Sequence, residues 1–154
     1  MTGTFLTWMQ EKTAPVFVVA TANNISSLPA ELLRKGRFDE IFFIDLPATV
    51  ERKEIFRIHI EKRSRKSADF DLDKLAAETN GFSGSEIEQS VVSALYDAFD
   101  SNTDLSNQAL FREIRNTTPI SKTMKEDVER IRNWAESRTR NASGNVRMKE
   151  RISS

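Results

Sequence analysis

Two continuous apolar runs in the first third of the chain are typical of strands buried in a parallel sheet. Residues 16–20 are Val, Phe, Val, Val and Ala, and residues 40–46 are mostly apolar as well. Strands covered on both faces lack the apolar–polar alternation of half-buried strands, so these runs predict a parallel sheet. A short helix is predicted between them, over residues 29–33, because Pro29 favours the first helical position. Residues 4–11 have the pattern of the end of another helix.

The pattern changes after Pro47, and every further element is predicted to be a helix. Ser83 with Glu86, and Thr123 with Glu126, have the spacing of capping boxes, in which a hydroxyl and a carboxylate satisfy the first N–H groups of a helix. Apolar residues recur with helical spacing after both pairs. The predicted helices cover residues 50–63, 71–78, 83–98, 107–115 and 123–135.

This change of pattern predicts three regions. Residues 1–47 are expected to be the distal part of an α/β core, and residues 48–137 a helical domain. Residues 138–154 are basic, have no apolar period and are expected to be a disordered tail. Two strands alone would leave a sheet edge exposed and a face uncovered. The chain is therefore expected to be a piece of a larger protein.

Composition narrows the possible classes of protein. Lys and Arg number 23 and Asp and Glu also 23, which argues against a dedicated nucleic-acid binder. There is no cysteine and only one histidine, so neither a cysteine zinc site nor a histidine-rich metal site is expected. No apolar stretch approaches the roughly 20 residues of a membrane helix. We expect no membrane partner and a cytoplasmic location, or the plastid stroma if the gene is plastid-encoded.

Polar residues with possible phosphate chemistry follow the first predicted strand. Asn23 and Asn24 come just after it, and ligands of open α/β sheets bind beyond the carboxyl ends of strands. Arg34 and Arg37 flank Gly36 between the short helix and the second strand, and guanidinium groups match phosphate oxygens. Taken singly, such an asparagine is usually a turn residue and such arginines a solvated loop. Their order and spacing favour a functional reading.

That order and spacing resemble a known family. Asn23 lies eleven residues before Arg34, and residues 32–39 read Leu-Leu-Arg-Lys-Gly-Arg-Phe-Asp. The stretch is similar to the second region of homology of AAA ATPases, where a strand ends in Ala-Thr-Asn and a Leu-Leu-Arg-x-Gly-Arg-Phe-Asp block follows. The implied fold class is α/β: a fragment of a P-loop NTPase parallel-sheet core followed by an all-helical AAA lid.

The resemblance implies catalytic roles for three residues. It identifies Asn23 as sensor 1, and Arg34 and Arg37 as arginine fingers that act on ATP bound to the neighbouring subunit. Ala22 stands where the family usually has threonine. Asn24 is the alternative sensor 1 if the strand is shifted by one residue.

Two later blocks resemble the lid of the same family. Ile58 and His59 match a pair that packs against the adenine in AAA proteins. Residues 81–87 read Gly-Phe-Ser-Gly-Ser-Glu-Ile, which resembles a Gly-Phe-Ser-Gly-Ala-Asp-Leu block of the family. In this type of AAA protein the second glycine and the next residue, here Gly84 and Ser85, contact the nucleotide instead of a sensor-2 arginine. The alternative readings are a surface histidine and an ordinary helix start.

The resemblance covers residues 4–100, and the chain as a whole looks most like AAA proteins of cyanobacteria and red-type plastids. It implies ATP hydrolysis in a homo-oligomeric ring, such as a hexamer, that remodels an unknown protein substrate. The sequence has no phosphate-binding loop and no apolar strand ending in Asp-Glu. In the family both lie upstream, so ATP phosphates and Mg²⁺ are expected to be held there and this fragment to be inactive. The alternatives are a non-enzymatic helical interaction module and a clamp-loader-like nucleic-acid factor that uses the basic tail.

Overall fold

Helices dominate the computed structural model, which describes residues 2–11, 13–34 and 36–143. The helices are α1 (Thr2–Glu11), α2 (Thr49–Glu61), α3 (Leu72–Glu78), α4 (Gly84–Asp100), α5 (Asn107–Asn116), α6 (Ile120–Thr123) and α7 (Lys125–Glu136), and the strands are β1 (Phe42–Phe43) and β2 (Arg140–Asn141). Short 3₁₀ turns lie at Ile25–Ser27 and Ser67–Asp69. The predicted fold class, a small piece of α/β core followed by a helical domain, is confirmed. None of the described helices has the length and apolar character needed to cross a membrane.

The strands β1 and β2 pair in parallel, which joins the region before the helical domain to the C-terminal end of the described chain. The Arg140 N–H donates to the Ile41 carbonyl at 2.9 Å, and the Ala142 N–H donates to the Phe43 carbonyl at 3.0 Å. The second predicted strand, 40–46, is thus present but reduced to two residues. Its partner was not predicted, because a polar two-residue strand has no apolar pattern and is specified by backbone pairing alone.

The prediction of a buried strand over residues 16–20 is wrong. These residues form no strand, and the side chain of Phe17 is 92% exposed. A strand requires a neighbour for its N–H and C=O groups, and no described strand lies beside this run. We use the name α/β segment for residues 13–47.

The predicted helix at 29–33 is also replaced by a looser structure. The Leu32 N–H donates to the Pro29 carbonyl at 3.0 Å, and the Leu33 N–H donates to the Ala30 carbonyl at 3.2 Å. Both bonds span three residues, so the segment consists of consecutive turns and not of an α-helix. Leu32 is nevertheless buried, which anchors the turns.

Helices α2–α5 form the helical bundle, which holds the hydrophobic core. Its fully buried side chains recur at helical spacing, as the sequence predicts. They include Phe56, Ile60, Leu75, Ile87, Val91 and Leu110. The first capping box is confirmed, because the Ser83 hydroxyl accepts from the Glu86 N–H at 3.3 Å and the Glu86 carboxylate accepts from the Ser83 N–H at 2.7 Å.

Two predictions about the C-terminal region are corrected. Thr123 does not cap a helix, because it is the last residue of α6, and Met124 precedes α7 without a side-chain cap bond. An N-cap residue needs an extended backbone, which a helical threonine lacks. The tail expected to be disordered from residue 138 begins with the ordered β2, held by its pairing with β1. Residues 144–154 of that tail lie outside the described part of the chain.

Candidate functional site

The start of α2 is fixed by a buried arginine. The Arg52 side chain donates from Nη1 to the Pro47 carbonyl at 2.8 Å, from Nη2 to Thr49 Oγ1 at 3.1 Å and from Nε to the Ala76 carbonyl at 3.0 Å. Ala76 lies near the C-terminal end of α3, where carbonyls have no partner within the helix and favour a cation. Arg52 therefore sets the direction in which α2 leaves the α/β segment and carries Ile58 and His59.

His59 is held in the seam between α2 and α4. Its side chain is only 17% exposed, and Nδ1 lies 3.3 Å from Glu88 Oε1. Arg63, one turn later on α2, donates from Nη1 to the His59 carbonyl at 3.0 Å and from Nη2 to Glu88 Oε1 at 3.3 Å. The hydrogen bond from Arg63 lowers the pKa of Glu88, and the nearby charge of His59 acts in the same direction. The imidazole is thus ordered by a carboxylate and a guanidinium.

The same seam brings His59 and Gly84 onto one pair of helices. A Cβ placed on Gly84 would lie 3.7 Å from Ile55 Cδ1, so Ile55 is opposite Gly84 just as His59 is opposite Glu88. Ile55 and His59 are four residues apart on α2, and their partners Gly84 and Glu88 are four residues apart on α4. The contacts follow the same order along both helices, so α2 and α4 run side by side in the same direction. The 3.7 Å spacing is an ordinary contact, so packing within the chain does not require glycine at position 84.

The other two predicted nucleotide contacts flank this seam and face solvent. The side chain of Ile58 is 45% exposed, although isoleucine is usually buried, and Ser85 is exposed at the first turn of α4. Ile58 is thus an exposed apolar side chain next to the ordered imidazole of His59, and Ser85 is an exposed small residue next to Gly84 at the start of α4.

The loop before Gly84 is held by close packing and by hydrogen bonds to Glu86. Gly81 has a φ of +80°, and a Cβ there would overlap Ser121 Oγ and lie 3.0 Å from Ser121 Cβ. Glu86 accepts from the Ser83 N–H at 2.7 Å, from the Ser83 hydroxyl at 2.9 Å and from the Ile120 N–H at 2.8 Å. The two glycines of the block thus differ, because only Gly81 is required by backbone conformation and packing.

The predicted sensor and finger residues lie on turns of the α/β segment. Asn23 and Asn24 are exposed, and the Asn24 carbonyl accepts from the Ser27 hydroxyl at 2.8 Å. The Arg37 N–H donates to the Arg34 carbonyl at 3.3 Å. That bond closes a turn in which both arginines sit close together along the backbone, with Arg34 exposed and Arg37 half-buried.

An open groove of about 530 Å³ lies elsewhere on the bundle, and none of the predicted nucleotide contacts lines it. Its walls are Arg63, Arg65, Val92, Leu95, Tyr96, Phe99 and Thr103. Among the described residues, no group of three or more His, Cys, Asp or Glu side chains could hold a metal ion.

Sequence reasoning missed Arg52, Arg63 and Glu88. A signal for Arg52 exists, because positions 52, 56 and 60 are spaced by four and all three are buried on one stripe of α2. The spacing of His59 and Arg63 by four residues likewise predicts a contact on the helix surface. Glu88 has no comparable signal, since its pairing depends on how α4 packs against α2.

Comparison with known proteins follows the division of the chain. A family model described as "ATPase family associated with various cellular activities (AAA)" matches residues 1–46, and one described as "AAA+ lid domain" matches residues 69–113. The chain is 50% identical over 143 residues to the uncharacterised AAA domain-containing protein ycf46 of Pyropia yezoensis, an alignment covering 92% of this chain and 29% of that protein. It is 48% identical over 134 residues to ycf46 of Guillardia theta, covering 86% and 26%.

A more distant relative is named for its activity. The chain is 41% identical over 81 residues to the proteasome-activating nucleotidase of Sulfurisphaera tokodaii, covering 53% of this chain and 20% of that protein. The chain spans less than a third of the length of each of these relatives.

Proposed function

Because this chain belongs to the AAA family of ATPases, we propose that it is the nucleotide-sensing part of a protein that binds and hydrolyses ATP. The observation that carries the proposal is the α2–α4 seam. It holds His59 between Glu88 and Arg63 and places it on the same helix pair as Gly84, where packing leaves room for a side chain.

The bundle would hold the adenosine part of ATP. Ile58 offers an exposed apolar surface and His59 a flat ring fixed by its neighbours, which together suit a planar base. Gly84 and Ser85 open a helix of 17 residues. Backbone N–H groups at such a helix start, unshielded by large side chains, favour contact with ribose or phosphate oxygens.

The α/β segment would act on the phosphates. Asn23, or Asn24 if the register is shifted, would orient the attacking water and sense the γ-phosphate. Arg34 and Arg37 would stabilise the charge that develops in phosphoryl transfer on ATP of the neighbouring subunit. Their common turn supports a joint role. Other residues of the complete protein would hold the phosphates and Mg²⁺, which supplies charge neutralisation when bound.

The wider assembly follows from the same proposal. Fingers that act across an interface require neighbouring subunits, so the complete protein would form a homo-oligomeric ring, such as a hexamer. The work of the ring would be remodelling of a protein substrate in the cytoplasm or plastid stroma.

The decisive experiment compares the isolated chain with the complete protein. The complete protein is expected to hydrolyse ATP and to lose hydrolysis, but not ATP binding, on Arg37→Ala. The 154-residue chain alone is expected to show no turnover. Absence of ATP binding by the complete protein would refute the proposal and favour a non-enzymatic interaction module. Salt-dependent DNA binding without hydrolysis would instead favour the nucleic-acid factor.

A further inference from the structure

We infer that residues 120–143, which we name the C-terminal strut, fix the helical bundle at a set angle to the α/β segment. The strut comprises α6, α7 and β2, and it is anchored at both ends to different parts of the molecule. It lies outside both regions matched by the family models, residues 1–46 and 69–113.

The first anchor joins the strut to the bundle. The Ile120 N–H donates to Glu86 Oε1 at 2.8 Å, and Ser121 packs so closely on Gly81 that no Cβ would fit there. Glu86 directly follows Ser85 in the first turn of α4. The strut thus contacts the bundle at the first turn of α4, which is proposed to contact the nucleotide.

The second anchor joins the strut to the α/β segment. Arg132 Nε lies 3.0 Å from both carboxylate oxygens of Asp45, and Arg132 Nη2 lies 3.0 Å from Asp45 Oδ1. The Asp45 side chain is only 10% exposed, so the pair is partly shielded from water and strengthened accordingly. The two ladder bonds between β2 and β1 lie beyond this pair and reinforce it.

Two connections in parallel prevent free hinge motion. The bundle is joined covalently to the α/β segment through residues 46–48, and the strut adds a second link whose helix α7 is about 18 Å long. Rotation of the bundle about residues 46–48 must therefore break an anchor. The Arg132 side chain is 40% exposed, so water can replace its hydrogen bonds to Asp45. This is therefore the anchor at which the strut can detach. The Asp45–Arg132 ion pair is thus the contact that controls movement of the bundle relative to the α/β segment.

A distance measurement on the 154-residue chain tests the strut. The chain has no cysteine, so Asp39→Cys in the α/β segment and Gln108→Cys in α5 provide two unique spin-label sites. Double electron–electron resonance is expected to give one narrow distance for the parent chain and a broad distribution for Arg132→Gln. Arg130→Gln is the matched control, because Arg130 lies on the same helix but bonds only to Asp127 of that helix among its described contacts. Its distribution is expected to stay narrow.

A second variant covers the case in which Arg132→Gln disturbs folding. A chain ending at Glu136 keeps α2–α7 and removes β2, and it too is expected to broaden the distribution. A narrow distance in both Arg132→Gln and the shortened chain would overturn the inference.

The effect of the strut on turnover rests on the function proposed above. In the complete protein, Arg132→Gln is expected to change KM for ATP several-fold, and Arg130→Gln to leave it unchanged. An unaltered KM in Arg132→Gln would show that the strut does not control the nucleotide site. If the parent complete protein does not hydrolyse ATP, the proposed function fails, whereas the distance measurement still decides on the strut.

Discussion

Two glycines three residues apart should respond oppositely to the same substitution. Gly81→Ala is expected to destabilise the chain by about 2–5 kcal/mol. Of this, about 1–2 kcal/mol comes from placing an L-residue in the left-handed region at φ +80°. Another 1–3 kcal/mol or so comes from crowding against Ser121, whose hydroxyl must rotate away and whose Cβ, at 3.0 Å, must move back slightly.

Gly84→Ala is the matched control, because its Cβ would make only an ordinary contact with Ile55 at 3.7 Å. Alanine is also a better helix former than glycine, so stability should stay level or rise by up to about 1 kcal/mol. Urea unfolding of both variants, followed by circular dichroism, gives the two free energies. In the complete protein, by contrast, Gly84→Ala is expected to weaken ATP binding, because the side chain occupies the space proposed for the nucleotide.

The Ser121→Ala background isolates the packing term. That change removes the overlapping hydroxyl and leaves the backbone strain, so the cost of Gly81→Ala should fall but not vanish. Equal stability of Gly81→Ala and Gly84→Ala would refute the reasoning about this loop. So would a cost of Gly81→Ala that is identical with and without the Ser121 hydroxyl.

Four further outcomes are expected. In the complete protein, His59→Ala should raise KM for ATP with little change in kcat, because lost base contacts affect ground state and transition state alike; a lowered kcat at equal KM would contradict this. Changing Arg34 or Arg37 to Ala should lower kcat by about 10³–10⁵. Mixing Arg37→Ala with a phosphate-loop lysine variant should restore activity partly, and dead mixed rings would exclude action across the interface. Arg63 holds the pKa of Glu88 below its usual 4.5, so the stability that this pair contributes is present at neutral pH and is lost as pH falls through the lowered pKa. Glu88→Gln should therefore reduce the loss of unfolding free energy in acid, measured by unfolding curves at several pH values. An unchanged pH profile would count against the contact.

Helices α2–α5 could be predicted from the sequence because their signals are local. The apolar positions of α2 and α4 repeat within a few residues, and the capping pair Ser83–Glu86 lies on the same turn. The strand prediction at 16–20 failed because a strand depends on a partner elsewhere in the chain. The strand β2 was missed for the same reason: its two polar residues have no strand pattern of their own and form a strand only because they pair with β1.

The candidate site was only partly predictable. Motif spacing pointed to His59 and Gly84, and the structure places both on the α2–α4 seam. The partner Glu88 depends on tertiary packing and left no mark in the sequence. The pair Asp45–Arg132 is even harder to predict, because the two residues lie 87 positions apart and neither has a distinctive sequence context. Whether Asn23 or Asn24 is sensor 1 stays a prediction.

The pairing of β1 with β2 also dictates an order of events during synthesis of the chain. The contacts that secure β1 and its surroundings join residues 87 and 92 positions apart, as in Asp45–Arg132 and Glu51–Ser143. A ribosome adds about 5–20 residues per second, so the early segment waits roughly 5–20 s for its partners. Helices α2–α5 find their neighbours sooner and fold first. The side chains of Phe42 and Ile44 are largely exposed in this structure, and β1 can pair with β2 only after the residues between them have been made.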